Sequence, residues 1–473
     1  MKLRFISRRL LPAMFAFLFL LSTLLLPTTA VTPPSVPTAE SVLLYCVESD
    51  TVLYARDADR IVYPAALVKL MTALVVLEAA EEKAMAPDTL FTASVNAVTI
   101  GNMGLSMAVK VGEQIALEHL LGAMLLAGAG DAAAMLAEGV FGTVDACVER
   151  MNEKAAELGM TDTVYTNPNG FHDEAMVTTA NDLLLLARAA MENTTITATV
   201  SQLRVVIPAT NKSASRAYGT RNYLVSNRVS QDYYLPMATG MICGSTEEAG
   251  YCVIASGQKN GLNYLAILTG ADTTSVLVTP ERTETDADGN SVTTPAVYKT
   301  VLNGLQEART LLLWGESNFR YIHAVDRATP IVELPVRLGK DVDAVTALPA
   351  ETIEIFAPND IDRAKDITYT YTLTEKALTA PVKAGTEVGS LSVFYQGEFL
   401  GEVPLIIGNN IEGSGWLTFL DRVGELAATP FFLVLIVAIA AAAVFYVLST
   451  AITRQKRRAE AKRAYDKKHR YLK

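Results

Sequence analysis

Ala66 and Lys69 have the spacing at which a nucleophile and its base work together. Both lie in the segment 63–72, whose apolar residues recur at helical spacing. Residues three apart on a helix share a face, so a serine hydroxyl at position 66 would lie beside the lysine amine that accepts its proton. Position 66 holds alanine, and the nearest serines along the chain are Ser49 and Ser94. The pair therefore has the arrangement of acyl-transfer chemistry without the nucleophile.

The surrounding motifs resemble a known family. Residues 64–73 resemble the S-x-x-K segment of the low-molecular-weight penicillin-binding proteins, the serine D-alanyl-D-alanine carboxypeptidases. Residues 125–133 are similar to their S-G-N-D-A-A segment, and residues 240–252 resemble their K-T-G strand and the turn after it. Further matches at 166–173, 180–183, 314–319 and in the β-rich region 379–405 extend the resemblance over residues 40 to about 410.

The resemblance implies that the polar groups of all three motifs are missing. The family's second motif supplies a relay hydroxyl and an amide, whereas this chain has Gly128 and Gly130 there. The third motif supplies a cation and a hydroxyl for the terminal carboxylate of the substrate, whereas this chain has Ile242 and Cys243. We therefore expect vestigial catalytic positions at Ala66, Lys69, Gly128 and Gly130, and vestigial substrate-binding positions at Ile242, Cys243 and Gly244.

Two points of chemistry stay open. If the chain is an enzyme with unusual residues, Cys243 is the candidate nucleophile, because thiolates are strong nucleophiles. It stands at a binding position of the family rather than at the position of attack, and no histidine is assigned to it. Lys69 has lost its family partners, so its amine reaches water, pairs with Asp131 or Asn169, or becomes neutral.

The four cysteines are too few for a disulfide framework. Cys243 and Cys252 flank a turn, and they either oxidise across a hairpin or remain small buried residues. His119 and His172 are not spaced as metal ligands, so the sequence predicts neither a metal site nor a cofactor.

Both ends of the chain carry membrane signals. Residues 1–30 combine a basic start, an apolar run and small residues, which predicts an export signal peptide or, alternatively, an N-terminal anchor. Residues 431–452 contain no charge and are long enough to span a bilayer. Residues 454–473 contain ten Lys or Arg against two acidic residues, and positive residues mark the cytoplasmic side. We expect a cell-membrane protein with its ectodomain outside the cytoplasm and its basic tail inside.

The ectodomain is strongly acidic. The whole chain carries a net charge of −10, the tail contributes +8 and the first nine residues contribute +4, so the remainder is near −22. Such a surface excludes nucleic acid as a partner. The resemblance implies instead a peptidoglycan stem peptide or a cell-wall protein as partner, with the membrane contacted through the C-terminal helix.

The predicted fold class is α+β. A hairpin is expected at 42–54, helical regions at 64–80, 117–138 and 182–191, and antiparallel strands from 240 to 268. The region 117–138 is interrupted at 127–130, and the polar segment 281–294 is expected to form an exposed hairpin. The predicted domains are a signal or anchor (1–30), a linker (31–40), a β-lactamase/transpeptidase-like domain (41–318), a β-rich domain (319–410), a linker (411–428), a transmembrane helix (429–452) and a cytoplasmic tail (453–473).

Together these patterns favour a membrane-anchored, catalytically inactive member of the family that acts in cell-wall assembly by binding. Two alternatives remain. Residual serine-type carboxypeptidase activity would appear as release of D-alanine from a pentapeptide. A structural spacer that presents the β-rich domain would tolerate the exchange of residues 41–318 for an unrelated fold.

Overall fold

The computed structural model describes residues 32–228, 231–280, 282–285 and 291–470. The predicted signal or anchor at 1–30 lies outside these residues. The chain divides into two compact units, Met1–Arg320 with Pro358–Asp360, and Tyr321–Ala357 with Ile361–Lys473.

The helices of the described residues are α1 (Val68–Glu82), α2 (Val95–Gly101), α3 (Leu117–Ala127), α4 (Gly130–Phe141), α5 (Val144–Leu158), α6 (Ala180–Glu192), α7 (Thr194–Val200), α8 (Asn303–Asn318), α9 (Arg363–Asp366), α10 (Gly415–Ala427) and α11 (Pro430–Arg470). The strands are β1 (Ser41–Cys46), β2 (Thr51–Arg56), β3 (Leu90–Thr92), β4 (Gln114–Ala116), β5 (Arg204–Ile207), β6 (Arg216–Gly219), β7 (Ala238–Thr246), β8 (Gly250–Lys259), β9 (Leu262–Ala271), β10 (Thr273–Thr279), β11 (Arg282–Thr285), β12 (Ser291–Thr294), β13 (Val297–Leu302), β14 (Phe319–Val325), β15 (Val332–Arg337), β16 (Ala344–Pro349), β17 (Ile353–Pro358), β18 (Ile367–Leu373), β19 (Leu378–Thr379), β20 (Glu387–Tyr395) and β21 (Glu398–Ile407).

The first unit is built on a five-stranded antiparallel sheet in the order β2-β1-β9-β8-β7. Both faces are covered, so its central strands are apolar on both sides rather than alternating. The predicted hairpin and the antiparallel strands from 240 to 268 are confirmed. Helix α8 packs on one face, where Gly315 allows close approach to Leu44 and Tyr264. The opposite face joins the main core with Leu43, Ile254 and Ile267.

Helix α1 is the centre of that core. Most of its residues, including Lys69 and Thr72, are buried, because α4, α5 and α6 pack around it. It begins with a 3₁₀ turn at Ala65–Leu67, so the predicted helix at 64–80 is confirmed with a tighter first turn. The predicted break in 117–138 is also confirmed, since α3 ends at Gly128 in the left-handed conformation that favours glycine.

The second unit contains a six-stranded sheet in the order β18-β20-β21-β16-β15-β19 and a separate β14–β17 pair. Its own apolar core includes Leu334, Leu391 and Leu405. Helix α9 adds a single turn to a region in which the sequence predicts no helix. Beyond the sheet, α11 contains within Pro430–Tyr465 a stretch that is long and apolar enough to be a candidate membrane span. The mixed α+β architecture with a β-rich domain and one long apolar C-terminal helix is therefore confirmed.

Two segments differ from their predicted form. The segment 411–428, expected to be a linker, contains helix α10. Its apolar residues recur at helical spacing, but they lie directly before a much stronger hydrophobic run, which masks the pattern. The basic tail continues α11 as far as Arg470. The polar hairpin predicted at 281–294 is present as the β11–β12 pair, and its central residues 286–290 lie outside the described part.

A buried ion pair fixes the strands that lead to the site. Glu113 is fully buried and accepts hydrogen bonds from Arg216 at 2.8 Å, Thr210 at 2.7 Å and the Lys110 amide at 3.0 Å. Burial works against the charged carboxylate, but the bonds from Thr210 and Arg216 outweigh it and lower the pKa of Glu113. Because Arg216 begins β6, the pair holds the chain just before Arg221, which enters the candidate site.

We predict that Glu113→Gln lowers the free energy of unfolding by about 3 kcal/mol at neutral pH, because it leaves the Arg216 charge unpaired. The lowered pKa means that the stabilisation is present above the ordinary glutamate pKa and disappears as the pH falls through the folded value. The difference in unfolding free energy between the variant and the native protein should therefore become smaller at acidic pH. Thermal unfolding against pH measures it, with the exposed Glu118→Gln as the matched control. A constant difference down to the most acidic measurable pH would contradict this account.

Candidate functional site

Ala66 lies where a strand and a loop approach the 3₁₀ turn as closely as glycine allows. A Cβ atom added at Gly244 would come within 2.5 Å of the Ala66 Cβ. One added at Gly170, whose φ is +77°, would come within 2.2 Å of the Ala65 carbonyl oxygen. Ala65 itself has φ of +48°. Position 66 is therefore held tightly between β7 and the loop at 170, although it carries no reactive group.

Lys69 is 4% exposed, and its Nζ donates a hydrogen bond to the Asn169 carbonyl oxygen. The loop that offers this carbonyl is itself fixed, since Thr72 Oγ1 donates to the Pro168 carbonyl and the Gly170 amide donates to Asn167 Oδ1, each at 2.8 Å. Of the partners open to Lys69 in the sequence, the structure selects Asn169.

Asp131 is occupied elsewhere. Its carboxylate accepts hydrogen bonds from Ser106 Oγ at 2.5 Å and from the amides of Met107 and Ala132 at about 3 Å. These bonds hold the loop at 103–109 in place. The Leu105 carbonyl of the same loop also accepts a hydrogen bond from the Gly130 amide at 2.8 Å. The hypothesis that Asp131 pairs with Lys69 is wrong, because this loop uses the carboxylate.

Burial and a neighbouring cation both act on the Lys69 amine. Burial is the larger cause and repulsion from the Arg221 guanidinium adds to it, and together they lower the pKa of Lys69 to about 8. A shift of this size corresponds to a penalty of about 3 kcal/mol on the charged amine in the folded protein. Lys69 is thus a costly residue at this position.

The two glycines of the second motif differ in what they permit. Gly128 has φ of +74°, and a Cβ there would approach Leu105 Cδ1 to 3.1 Å. A Cβ at Gly130 would meet only ordinary contacts of 3.6 Å or more. A side chain at Gly130 is therefore accommodated, whereas one at Gly128 is strained by the backbone as well as crowded.

Ile242 and Cys243 are buried in the sheet, 2% and 6% exposed respectively. Ile242 joins the main core. Cys243 Sγ contacts the Arg221 carbonyl at 3.4 Å and accepts from Tyr251 Oη at 3.2 Å. Burial raises the pKa of the Cys243 thiol, which works against the thiolate that a cysteine nucleophile requires.

A Cys243–Cys252 disulfide is absent, and all four cysteines of the described residues are free thiols. The strand register explains why. Cys243 pairs with Val253, and Cys252 pairs with Gly244, so the two cysteines are one residue out of register. Side chains one residue apart point to opposite faces of a sheet. Of the two alternatives that the sequence left open, a disulfide or small buried residues, Cys243 and Cys252 are small buried residues.

Five of the seven predicted positions line one cleft with a volume of about 420 Å³, namely Ala66, Lys69, Gly128, Gly130 and Gly244. Met103, Leu105 and Phe171 give this cleft an apolar rim. Arg221 also lines this cleft, although it stands in none of the predicted motifs. Arg221 follows β6 outside the three motifs, and its approach to Gly128, whose Cβ would meet Arg221 Cδ at 3.6 Å, depends on tertiary packing.

The cleft is cationic within an acidic protein. Lys69 and Arg221 line it, and of the described residues that form its wall none is acidic. Arg221 Nε is buried and has no hydrogen-bond partner among the described residues. An unpaired buried guanidinium nitrogen is costly, so the site favours a ligand that brings an acceptor such as a carboxylate. Within the described part of the chain, no cluster of three His, Cys, Asp or Glu is arranged to hold a metal ion.

Known proteins share both the sequence pattern and the fold. The family described as D-alanyl-D-alanine carboxypeptidase matches residues 28–273, and the penicillin-binding protein 5 C-terminal domain matches residues 319–413. The D-alanyl-D-alanine carboxypeptidase DacC of Escherichia coli (strain K12) is 26% identical over 424 residues, which cover 88% of this chain and 94% of the relative. DacF of Bacillus subtilis (strain 168) is 24% identical over 386 residues, covering 81% and 88%.

Among solved structures, penicillin binding protein 6B from Escherichia coli superposes with a TM-score of 0.55 at 21% identity, covering 81% of this chain and 98% of that one. Penicillin binding protein 5 from Haemophilus influenzae gives 0.54 at 23% identity, covering 81% and 100%. These likenesses show the penicillin-binding-protein fold. Since the first family match spans more than half of the sequence, the chain belongs to the D-alanyl-D-alanine carboxypeptidase family.

We predict that Lys69→Met is tolerated and raises the free energy of unfolding by about 2 kcal/mol at pH 7. Removal of the charge penalty outweighs the loss of one hydrogen bond, worth about 1 kcal/mol. Because the folded pKa is lowered, the unfolded chain binds more protons between about pH 8 and the ordinary lysine value, so native stability rises across that window. The advantage of the variant should therefore fall with rising pH.

Thermal unfolding between neutral and alkaline pH tests this expectation. Lys83→Met is the matched control, because Lys83 follows the same helix and donates to a carbonyl but is exposed. A loss at pH 7 as large as that from a core cavity, roughly 2–5 kcal/mol, would show that Lys69 anchors a polar network.

Proposed function

We propose that this protein is a membrane-anchored member of the carboxypeptidase family that acts in peptidoglycan assembly by binding, without hydrolysing its ligand. The observation that carries the proposal is the contrast within the cleft. Position 66 is held tightly but has no hydroxyl, while the cleft has a volume of about 420 Å³ and is lined by two cations. A site of this composition binds an anionic ligand and has no hydroxyl at position 66, the position of attack in the family.

The ligand that fits this composition is the carboxyl-terminal end of a stem peptide. Its terminal carboxylate matches the charges of Lys69 and Arg221, and its small methyl side chains match the apolar rim at Met103, Leu105 and Phe171. The family's own carboxylate-binding residues are replaced by Ile242 and Cys243, so the carboxylate would have to bind nearer Arg221. The names of the relatives identify them as D-alanyl-D-alanine carboxypeptidases, which supports this class of peptide.

The proposed placement in the cell follows from the ends of the chain. Helix α11 would cross the membrane, and the positive residues that follow it would hold the C-terminus in the cytoplasm. The cleft would then lie outside, on the side where the cell wall is assembled. The rival reading as a working carboxypeptidase needs a nucleophile, and Cys243 is buried with a raised pKa.

We predict that a peptide ending in D-Ala-D-Ala binds with its free carboxylate and about tenfold or more weakly as the C-terminal amide, because a hydrogen bond to a charged group contributes about 1.5–3 kcal/mol. Isothermal titration of the detergent-solubilised protein measures both affinities. Arg221→Gln should bring the carboxylate peptide to the level of the amide, whereas the exposed Arg204→Gln should not. If neither peptide binds the native protein, the stem-peptide ligand is excluded and a cell-wall protein becomes the favoured partner.

We further predict that the native protein forms no covalent adduct with a fluorescent β-lactam and that Ala66→Ser alone is acylated only feebly. Removing the nucleophile of a serine protease lowers its turnover by about 10⁶. The contributions of catalytic groups that act together are not additive, so restoring one hydroxyl recovers little activity. Ala66→Ser combined with Gly128→Ser, Gly130→Asn, Ile242→Lys and Cys243→Thr should react much faster, although the left-handed backbone at Gly128 opposes the serine there.

Second-order acylation rates of these proteins show whether the cleft has lost only its catalytic groups or has also changed shape. Equal rates for the single and the fivefold variant would show that the other two motifs are not the lost machinery. If neither variant reacts, the cleft has been reshaped, and binding of a cell-wall protein becomes the favoured function over binding of a stem peptide. An adduct with the native protein, or release of D-alanine from a pentapeptide, would overturn the proposal of inactivity.

A further inference from the structure

Strand β18 is an unprotected edge of the six-stranded sheet. It stands at the end of the strand order and pairs with β20 through seven consecutive residue pairs without a register shift. Its sequence, ITYTYTL, contains no charge and no proline. Most natural edge strands are blunted by short length, charge, proline or a bulge, because an open edge pairs readily with another chain. The opposite edge of this sheet, β19, has only two residues, whereas β18 has none of these devices.

Alternate backbone groups of β18 point away from the sheet. The Asp366 carbonyl accepts from the Gln396 amide at 2.7 Å. At the other end of the strand, the Thr374 amide donates to the Val388 carbonyl at 2.9 Å. Because hydrogen-bonding residues alternate along an antiparallel strand, the even-numbered residues bond to β20. The open edge therefore offers the N–H and C=O groups of the four odd-numbered residues, Ile367, Tyr369, Tyr371 and Leu373.

Aromatic side chains are also exposed at this edge. Tyr369 and Tyr371 pair with Val393 and Leu391 of β20, and both of these aliphatic residues are 0% exposed. Directly paired residues point to the same face of a sheet, so the tyrosines lie on the core face. They are nevertheless 46% and 47% exposed, because the described sheet ends at their strand. A further strand at this edge would cover both rings and extend the apolar core.

The sequence of β18 is complementary to itself. Read in either direction, it has the same order of residue types, since each end is aliphatic and Thr and Tyr alternate between them. Two copies that pair antiparallel about Thr370 place this residue opposite its own counterpart. Tyr369 then lies opposite Tyr371, and Thr368 lies opposite Thr372. Aromatic pairs and threonine pairs are favourable across strands. The odd-numbered residues become the hydrogen-bonded pairs, which agrees with the direction of their backbone groups.

We propose that β18 is a dimerisation surface, on which a second copy of this chain pairs antiparallel about Thr370 so that the two six-stranded sheets continue across a twofold axis. Such an isologous contact uses the same patch on both copies. A strand of unrelated sequence would satisfy the backbone groups, but the same strand also matches all seven side-chain positions like with like. The contact itself is uncharged, whereas each chain carries a net charge near −22 outside its basic ends. Salt screens the repulsion between two acidic ectodomains, so the dimer should become tighter as the salt concentration rises.

Disulfide cross-linking of the full chain tests the register. All four native cysteines are buried, so a cysteine introduced into β18 is the accessible thiol. In the proposed dimer the two Thr370 residues form a non-hydrogen-bonded pair with Cα atoms about 4.5 Å apart, which lies within the range of a disulfide. Thr370→Cys, reconstituted into phosphatidylcholine vesicles and oxidised with copper phenanthroline, should therefore give a disulfide-linked dimer on a non-reducing gel.

Two other cysteines on the same strand are matched controls. Thr368→Cys and Thr372→Cys should each remain unlinked alone, because four residues separate the identical positions along the paired strands, a distance of about 13 Å. When both variants are reconstituted into the same vesicles, they should cross-link to each other, because position 368 of one copy lies opposite position 372 of the other.

A charge at the twofold axis tests the contact without oxidation. Thr370→Lys places two like charges directly opposite each other and should raise the dimer dissociation constant at least about fivefold. Thr368→Lys is the matched control, since its lysine lies opposite Thr372, and it should change the constant less than about twofold. Sedimentation equilibrium of the detergent-solubilised full chain measures these constants, and repeating it at high salt tests the expected tightening.

Other outcomes overturn the proposal in distinguishable ways. If Thr370→Cys gives no linked dimer in vesicles, the two strands do not meet at this residue. If Thr368→Cys links to itself, the strands pair in parallel or in a shifted register, and the twofold pairing about Thr370 is wrong. A native dimer that Thr370→Lys leaves unchanged would show that the copies associate elsewhere, for example through α11.

Discussion

The cleft depends on the close passage of the loop at 167–170 over the start of the central helix, where the Lys69 amine donates to the Asn169 carbonyl. The amine comes from the first turn of the central helix, and the carbonyl comes from a loop a hundred residues later. That loop passes the 3₁₀ turn so closely that only glycine is accommodated at 170, and Thr72 binds it one helical turn further along. Burying a charge at this place costs free energy. The cleft keeps its shape around a costly residue that has no nucleophile to activate.

The sequence predicts what local patterns encode. The helical repeat around Lys69 and the glycine break at 128 predict the helices on either side, and the apolar segments after residue 240 predict strands of the sheet. The motif positions that line the cleft were also predictable, because motif spacing reflects how close the backbones must come, as at Gly244. Arg221 was not predictable from spacing, since it reaches the cleft only through the packing of β6. The partner of Lys69 was not predictable either. The Asp131 carboxylate accepts hydrogen bonds from the loop at 103–109, and Lys69 donates to the Asn169 carbonyl instead.

Electrostatics separates the cleft from the rest of the protein. Outside its two basic ends the chain carries a net charge near −22, yet Lys69 and Arg221 line the cleft and no described residue of its wall is acidic. A small cationic recess in an acidic surface attracts a carboxylate at short range, while the surrounding field repels large polyanions. This contrast supports the proposed binding of a short peptide end rather than a bulky acidic polymer.

Loss of chemistry and retention of shape have different physical requirements. The proposed loss of catalysis concerns a few hydroxyls, amides and cations, and this chain has Ala66 and Ile242 at two of those positions. The shape depends on glycines at 170 and 244, where any Cβ would collide with backbone or with Ala66. Their presence around a substituted nucleophile favours a binding cleft whose geometry still matters.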